Sequence, residues 1–214
     1  CYNSTSSEFL IWHLPIFKGE RMKKRKRYKV STDHFKTLRG ERKTTLSLTQ
    51  WLKELIDNAR DAVAKNIYID FSNAEGKSRI TSPGSVISIF DDGRSLPFLQ
   101  EQDDYDWSLI LNYGSDQGNH IGTSSKAGIN GVGYKNATAT LGNKFLAAAK
   151  GPGRAPRFMF VDHTKFPKRE NLSFDSLDAN EINNIEDIPT YVLDKMSDFL
   201  EKTKNGSGFC TIIF

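Results

Sequence analysis

Cysteine and histidine are scarce in this sequence. Its 214 residues include two cysteines, Cys1 and Cys210, at opposite ends of the chain, and four scattered histidines. A structural zinc site needs four ligands in closely spaced pairs, so this composition excludes a zinc site of any usual spacing. We expect both thiols to be free and the protein to work in a reducing compartment, the cytoplasm or the nucleus.

Long hydrophobic runs are also missing. The longest one, residues 9–17, has nine residues and contains His13 and Pro15, whereas a membrane-spanning helix takes about 20 apolar residues. No basic segment precedes this run and no small-residue cleavage site follows it, which disfavours a secretory signal. We therefore expect no membrane span. Because the chain begins at Cys1 rather than Met and ends in an apolar run, we also expect a fragment of a longer protein.

The excess of basic residues is confined to one end of the chain. Residues 1–30 hold eight Lys and Arg side chains against two Glu, although the whole chain has a net charge of only +4. The cluster Lys23–Arg27 could contact nucleic acid, act as a nuclear-targeting signal or form a solvated linker. We therefore expect a basic N-terminal arm or linker over residues 1–30 and a globular domain over residues 31–214.

The globular part predicts strands that pair as hairpins and are interrupted by helices. Its strongest helix signal is the capping box Ser47–Gln50, followed by apolar residues at helical spacing up to Val63. The predicted elements are helices over 47–63, 105–113, 134–141 and from Pro189 to Asn205, and strands over 66–72, 85–90, 145–149, 157–161 and 208–214. This order predicts an α+β fold, a two-layer sandwich in which helices cover one face of a mixed, mostly antiparallel sheet.

Three polar residues share one stripe of the first predicted helix. Glu54, Asn58 and Asp61 are spaced by four and three residues, which places them together beside the buried face. An amide oxygen is a hard ligand for a hydrated metal ion, and a carboxylate can take a proton from water. The stripe is typical of a metal-assisted hydrolytic site, although an ordinary charged helix face has the same pattern.

Two further segments have the chemistry of a ligand site. Asp91 follows the strand over residues 85–90, where a carboxylate could accept a hydrogen bond from a ligand amine or simply form a turn. The glycines of Gly128–Lys135 let backbone amides approach anionic oxygens at the start of a helix, and Lys135 adds a positive charge. This segment is neither a P-loop nor a dinucleotide fingerprint. The glycine-rich residues 114–133 predict a long mobile loop.

The order of these motifs resembles the GHKL superfamily of ATPases, which includes DNA gyrase, the MutL mismatch-repair proteins, the large heat-shock chaperones, histidine kinases and MORC proteins. The matching segments are Glu54–Ala62, Asp91–Gly93, Gly128–Lys135 and Thr211. The resemblance covers about residues 35–214 and implies the Bergerat ATP-binding fold. Within the superfamily, Leu109–Asp116 and Gly131–Asn136 look most like the MORC branch and its prokaryotic relatives. A sensor histidine kinase is disfavoured, because those kinases lack the acid at the position of Glu54.

The resemblance implies a role for each matching residue. Glu54 would orient and deprotonate the attacking water, and Asn58 would hold the Mg²⁺ that bridges the phosphates. Asp91 would accept the adenine amino group, supported by Thr211 through a water. The further nucleotide-binding candidates are Asp61, Gly93, Gly128, Gly131, Val132 and Gly133, and Lys135 is the second catalytic candidate.

The resemblance also implies a function for the domain over residues 31–214. This domain would bind and hydrolyse ATP with Mg²⁺, close residues 114–133 as a lid and form an ATP-dependent homodimer, and the Lys23–Arg27 cluster could add a DNA contact. Two departures from the family pattern could weaken nucleotide binding: Ser95 replaces the second glycine of the second motif, and Cys210 replaces the glycine before the closing threonine. The alternative is a catalytically weak nucleotide-binding scaffold or a nucleic-acid-binding module of the same fold.

Overall fold

The fold is built on one large antiparallel sheet with helices packed against it. A computed structural model of the chain describes residues 26–29, 47–73, 85–111, 132–168 and 173–214. The strands are β1 (Lys26–Lys29), β2 (Ile67–Asn73), β3 (Ser85–Asp91), β4 (Phe98–Leu99), β5 (Asp104–Tyr105), β6 (Lys144–Lys150), β7 (Arg157–Asp162), β8 (Ser173–Leu177) and β9 (Gly208–Ile213). The α-helices are α1 (Leu48–Asp61), α2 (Ser108–Leu111), α3 (Val132–Leu141), α4 (Ala179–Ile182) and α5 (Thr190–Lys202), and short 3-10 helices cover Gln100–Gln102 and His163–Lys168.

Seven strands form the large sheet in the order β1-β8-β7-β6-β9-β3-β2, and each neighbouring pair is antiparallel. Strands β4 and β5 form a separate two-stranded pair. Near the middle of the large sheet, Asp91 of β3 lies opposite Phe209 of β9, and Thr211 lies between Ile89 and Ala147 of the flanking strands. The end of β3 therefore meets the beginning of β9. Both predicted hairpins, β2–β3 and β6–β7, are confirmed.

Helix α1 begins with the predicted capping box. The backbone N–H of Gln50 donates to the Ser47 hydroxyl (3.3 Å), and the backbone N–H of Ser47 donates to the Gln50 side-chain oxygen (2.7 Å). Trp51 follows on the core-facing side and is buried. The predicted end of this helix at Val63 is wrong, because the helix ends at Asp61. Val63 is exposed and has a φ of 60°, a left-handed conformation that does not continue an α-helix.

Apolar side chains cover both faces of the central strands. Ile89 of β3 belongs to a core cluster with residues of α1 and α3, whereas its neighbour Phe90 belongs to a second cluster with Val192 and Phe199 of α5. Successive side chains of a strand point to opposite faces, so α5 packs on the face opposite α1 and α3. The predicted α+β class with a mostly antiparallel sheet is confirmed, but the helices lie on both faces and three layers replace the predicted two. The physical reason is that every residue of β3 is buried, so both of its faces need a cover.

The last part of the predicted basic arm belongs to the sheet. Strand β1 pairs with β8, and the Tyr28 hydroxyl donates to the carbonyl oxygen of Tyr105 (2.9 Å) and lies 3.2 Å from the Asp104 carboxylate. Residues 26–29 are therefore not a solvated linker, while the division of the chain at residue 30 stays a prediction. The sequence predicts no strand over residues 164–187, where β8 lies, because the polar residues there give no apolar alternation.

Some predictions concern residues outside the described ranges. These are Cys1, the apolar run over residues 9–17, the basic residues 18–25 and most of the predicted loop over residues 114–133. The second cysteine, Cys210, is a free and buried thiol. Within the parts of the chain that the structure describes, no helix is long and apolar enough to cross a membrane.

Candidate functional site

Asp91 places a buried carboxylate at the end of β3. The residue is 5% exposed, and one of its carboxylate oxygens accepts the backbone N–H of Gly93 at 2.8 Å. Burial raises the pKa of Asp91 to about 7; the hydrogen bond from Gly93 opposes this shift, and the charge of Asp92 adds to it. A carboxylate in this setting can accept a hydrogen bond from a ligand amine.

Two neighbouring elements hold the turn that follows Asp91. The backbone N–H of Arg94 donates to the carbonyl oxygen of Ala62 after α1 (2.8 Å), and the Ser207 hydroxyl donates to the carbonyl oxygen of Gly93 (2.8 Å). A Cβ on Gly93 would lie 2.7 Å from the Ala62 oxygen and 2.9 Å from an Asp91 carboxylate oxygen. Glycine is therefore required at this position, where the first and second sequence motifs meet.

Glu54 lies against the first turn of α3. A Cβ on Gly133 would clash with a carboxylate oxygen of Glu54, so the two residues are in direct contact. The first backbone N–H groups of a helix have no intrahelical partner, and the helix dipole is positive at this end. The contact therefore joins the first and third motifs at a place that favours anionic groups.

The third motif and the closing strand meet through a side-chain hydrogen bond. Tyr134 follows Gly133 in the first turn of α3, and its hydroxyl lies 2.9 Å from the hydroxyl of Thr211 on β9. Thr211 is thus brought to α3, on a strand that neighbours the one carrying Asp91. Its predicted support of Asp91 through a water stays a prediction.

Asn58 and Asp61 continue the Glu54 side of α1. Asn58 is exposed one turn after Glu54, and Asp61 is the last helical residue, whose carbonyl oxygen accepts the Arg94 guanidinium at 3.1 Å. Among the described residues, no group of three or more His, Cys, Asp or Glu side chains could hold a metal ion. Mg²⁺ uses few protein ligands beside substrate phosphates and water, so a single amide such as that of Asn58 fits this ion.

The remaining predicted residues lie at or before the start of α3. Lys135 is 2% exposed, and burial lowers its pKa to about 8. At about 100° per residue, Lys135 lies about 200° around the helix from Gly133, so the two do not share a helix face. Val132 is the first residue of α3, whereas Gly128 and Gly131 lie outside the described residues. Their predicted roles at the phosphates stay predictions.

Two residues that hold the site together, Tyr134 and Ser207, are absent from the sequence predictions. The position of Tyr134 is the one available signal, because a large aromatic residue directly after Gly133 can anchor the first helical turn in the core. Nothing in the local sequence marks Ser207, whose partner Gly93 lies 114 positions away.

Comparison of the sequence with models of protein families shows the class of protein to which the chain belongs. Residues 46–194 match the family described as histidine kinase-, DNA gyrase B-, and HSP90-like ATPase. Because the match spans more than half of the 214 residues, the chain belongs to this family, and the predicted membership of the GHKL superfamily is confirmed. ATP binding and hydrolysis are the general activities of the family.

Among solved structures, the chain is similar to the topoisomerase IV ATP-binding domain of Francisella tularensis in complex with a small-molecule inhibitor, at 16% identity and a TM-score of 0.44. The similarity covers 87% of this chain and 42% of that chain, so this chain spans less than half of that structure's length. A comparison with curated proteins finds no match.

Proposed function

We propose that this chain is an ATPase domain that binds Mg·ATP between the end of β3 and the first turn of α3. The observation that carries the proposal is the contact between Glu54 and Gly133, because it places the candidate general base, Glu54, beside a helix start that can bind phosphate. Asp91 supports the proposal from the other side, where its buried carboxylate provides an acceptor for the adenine amino group.

The base end of the proposed site would select adenine by hydrogen-bond complementarity. One carboxylate oxygen of Asp91 accepts the backbone N–H of Gly93, and the other would accept a hydrogen bond from the adenine amino group. Guanine carries an oxygen acceptor in place of that amino group, so it would face the carboxylate with a second acceptor. The missing side chain at Gly93 would let the base approach the backbone.

The phosphate end would work mainly by positioning and charge stabilisation. The residues proposed to face the phosphates are Gly128, Gly131, Val132 and Gly133. Lys135, which is buried on another face of α3, is proposed only as a positive charge near them. Asn58 would hold Mg²⁺, which when bound supplies Lewis-acid stabilisation of the phosphate charge. Glu54 would accept a proton from the water as its oxygen bonds to the terminal phosphorus and the bond to ADP breaks.

Beyond hydrolysis, we propose that the ATP cycle is a switch in a MORC-like homodimer in the cytoplasm or nucleus. Residues 114–133 would close over the nucleotide, because contacts with a terminal phosphate order a segment only while that phosphate is present. The Lys23–Arg27 cluster would contact DNA phosphates. The hydrogen bond from Tyr28 to Tyr105 supports a link between such an arm and the domain.

One observation favours a second candidate function, a scaffold that binds nucleotide weakly. The Ser95 hydroxyl, close to the turn after Asp91, is buried, and the structure gives it no hydrogen-bond partner among the described residues. A buried hydroxyl left unpaired would cost about 1–3 kcal/mol, so serine in place of the family's glycine would weaken the turn at the proposed adenine end. The other departure places no side chain on the Asp91 face of the sheet, because Cys210 belongs to the apolar cluster on the α5 face.

A phosphate-release assay separates the two candidates. The ATPase proposal requires the wild-type chain to release phosphate from Mg·ATP and to stop when EDTA removes Mg²⁺. ATP binding without release would favour the scaffold, and no binding would refute both. Deleting residues 1–25 leaves β1 in place, with Lys26 and Arg27, and removes the other three residues of the cluster. DNA binding that survives this deletion with an unchanged salt dependence would exclude a DNA contact by residues 1–25.

Replacing Gly133 with alanine is expected to remove most turnover while the fold stays intact. The new methyl group would displace the Glu54 carboxylate, which ends a flexible side chain and can move without unfolding. A catalytic group misplaced by about 1 Å can cost about a hundredfold in rate. Phosphate release and a thermal melt measure the two effects. Gly206→Ala is the matched control, because a Cβ there would meet nothing within 4 Å. Full turnover in Gly133→Ala would contradict the proposed place of Glu54.

Nucleotide binding should weaken as the pH falls from 8 to 6. In the free protein the pKa of Asp91 is raised to about 7, whereas the adenine amino group needs the ionised carboxylate as its acceptor. Protons therefore compete with the ligand, and the affinity for adenosine should drop about tenfold between pH 8 and pH 6. The raised pKa of Asp91 has the opposite effect on folding. Burial disfavours the charged carboxylate, so protonated Asp91 stabilises the folded free protein, and this contribution to stability is lost as the pH rises through about 7.

Calorimetry with adenosine at three pH values measures this dependence. Adenosine is the suitable probe because it has no phosphate that titrates in the same range. An affinity for adenosine that is constant, or that increases at pH 6, would show that ionised Asp91 does not accept a hydrogen bond from the adenine amino group.

A further inference from the structure

Tyr134 ties the first turn of α3 to the middle of the sheet. Its hydroxyl lies 2.9 Å from the Thr211 hydroxyl, and both residues are buried. Its ring packs edge-on against Phe145 and Phe209, with the ring centroids 6.0 Å apart in each case. Burial raises the pKa of Tyr134 well above its usual value, so the hydroxyl stays protonated.

This hydrogen bond connects the two ends of the proposed nucleotide site. Gly133, the neighbour of Tyr134, contacts Glu54, so its helical turn belongs to the phosphate end. In the register of β3 and β9, Thr211 lies two positions from the residue opposite Asp91, and it therefore points to the same face of the sheet as Asp91. The hydroxyl–hydroxyl contact thus sets how far the phosphate end lies from the base end.

We propose that Tyr134 is a positioning residue for ATP hydrolysis, an inference that rests on the proposed function. By holding α3 at a fixed distance from β9, Tyr134 places the first helical turn and Glu54 relative to a nucleotide whose base is held by Asp91. In-line attack requires this alignment, because small displacements of reacting groups cost rate steeply. The base end is held separately, through Ala62 and Ser207, so losing the bond affects the terminal phosphate more than the base.

The substitution Tyr134→Phe tests this role, because it removes the hydroxyl and keeps the ring. We expect kcat for ATP to fall about tenfold, and the affinity for a non-hydrolysable ATP analogue relative to ADP to fall by a similar factor. The dissociation constant of ADP itself should change by less than about twofold, since its base contacts are intact. A steady-state phosphate-release assay gives kcat, and calorimetry gives the affinities for the ATP analogue and for ADP.

The matched control is Tyr28→Phe, which removes a tyrosine hydrogen bond on β1, at the far side of the sheet. It should lower the melting temperature to a comparable extent and leave kcat unchanged. Wild-type kcat and a wild-type affinity ratio in Tyr134→Phe would overturn the proposal. Equal kinetic losses in both variants, in step with their melting temperatures, would also overturn it, because Tyr134 would then serve stability alone.

The same measurements separate this inference from the proposed function. A wild-type chain that binds ATP without hydrolysing it would refute the ATPase proposal, and with it a role in hydrolysis, while the affinity ratio would still show whether Tyr134 positions the phosphate end of the site. A wild-type chain that binds no nucleotide would overturn both.

Discussion

Asp91→Asn is expected to abolish detectable binding of adenine nucleotides. The carboxylate of Asp91 has two oxygens, one of which accepts the Gly93 N–H. Asparagine keeps a single oxygen, so either Gly93 or the adenine amino group loses its acceptor, and a donor then faces a donor. Each buried polar group left unpaired costs about 1–3 kcal/mol, so two donors that face each other together cost about 2–6 kcal/mol, which predicts binding weaker by about thirtyfold or more.

Calorimetry with a non-hydrolysable ATP analogue measures this loss. Asp92→Asn is the matched control. One oxygen of Asp92 accepts the backbone N–H groups of Lys65 and Asn66, at 2.8 Å each, and asparagine can still do so. The other accepts the side-chain amide of Asn66 at 2.7 Å, and this exposed amide can turn its own oxygen toward the new NH₂ group. The control should bind the analogue with wild-type affinity. Unchanged affinity in Asp91→Asn, or an equal loss in both variants, would remove Asp91 from the site.

Glu54→Ala should retain Mg·ATP binding and lose turnover by about a thousandfold. A general base acts only as the water attacks, so its removal lowers kcat without removing contacts to the bound substrate. The substitution also removes a negative charge from beside Gly133 in the first turn of α3, where phosphate would bind. Affinity for ATP should therefore be unchanged or higher. Phosphate release and calorimetry on the same preparation measure the two quantities.

The matched control for Glu54→Ala is Asp57→Asn on the same helix. Asp57 pairs with Lys53 and Arg60 on the surface of α1. The Lys53 and Arg60 side chains are exposed and the Asp57 side chain is 16% exposed. Ion pairs at the surface contribute little to stability, and asparagine has nearly the size of aspartate, so this variant should keep wild-type turnover and fold. Wild-type turnover in Glu54→Ala would refute the assignment of Glu54 as the general base.

Local sequence patterns are sufficient to place much of the candidate site. The capping box at Ser47 determines where α1 starts, and the apolar spacing after it determines that Glu54 lies beside the buried face. The glycine at position 93 follows from the tight turn at the end of β3, and the glycine at position 133 is marked by the glycine-rich start of α3, whereas its contact with Glu54 of α1 is tertiary. These features depend on residues close in sequence or on an anion-binding helix start, which have recognisable patterns.

The features that could not be predicted depend on tertiary register. Tyr134 and Thr211 are 77 positions apart, and Ser207 and Gly93 are 114 apart, so no local spacing brings either pair together. Strands β1 and β8 carry few apolar residues and so show no apolar alternation, although Phe174 and Leu177 of β8 each reach one of the two cores. The side of the sheet that α5 covers is likewise a matter of chain connection, since its own apolar face fits either side.

Because helices pack on both faces of the sheet, the central strands have little freedom to move during a nucleotide cycle. Strands β3 and β9 have a neighbour on each side and a packed core against each face. Strands in that position open only when the whole domain unfolds. The strands that carry Asp91 and Thr211 are therefore expected to stay rigid, so a movement that accompanies the arrival or loss of a phosphate is expected in the elements packed on them, such as α1 and α3, rather than in the strands themselves.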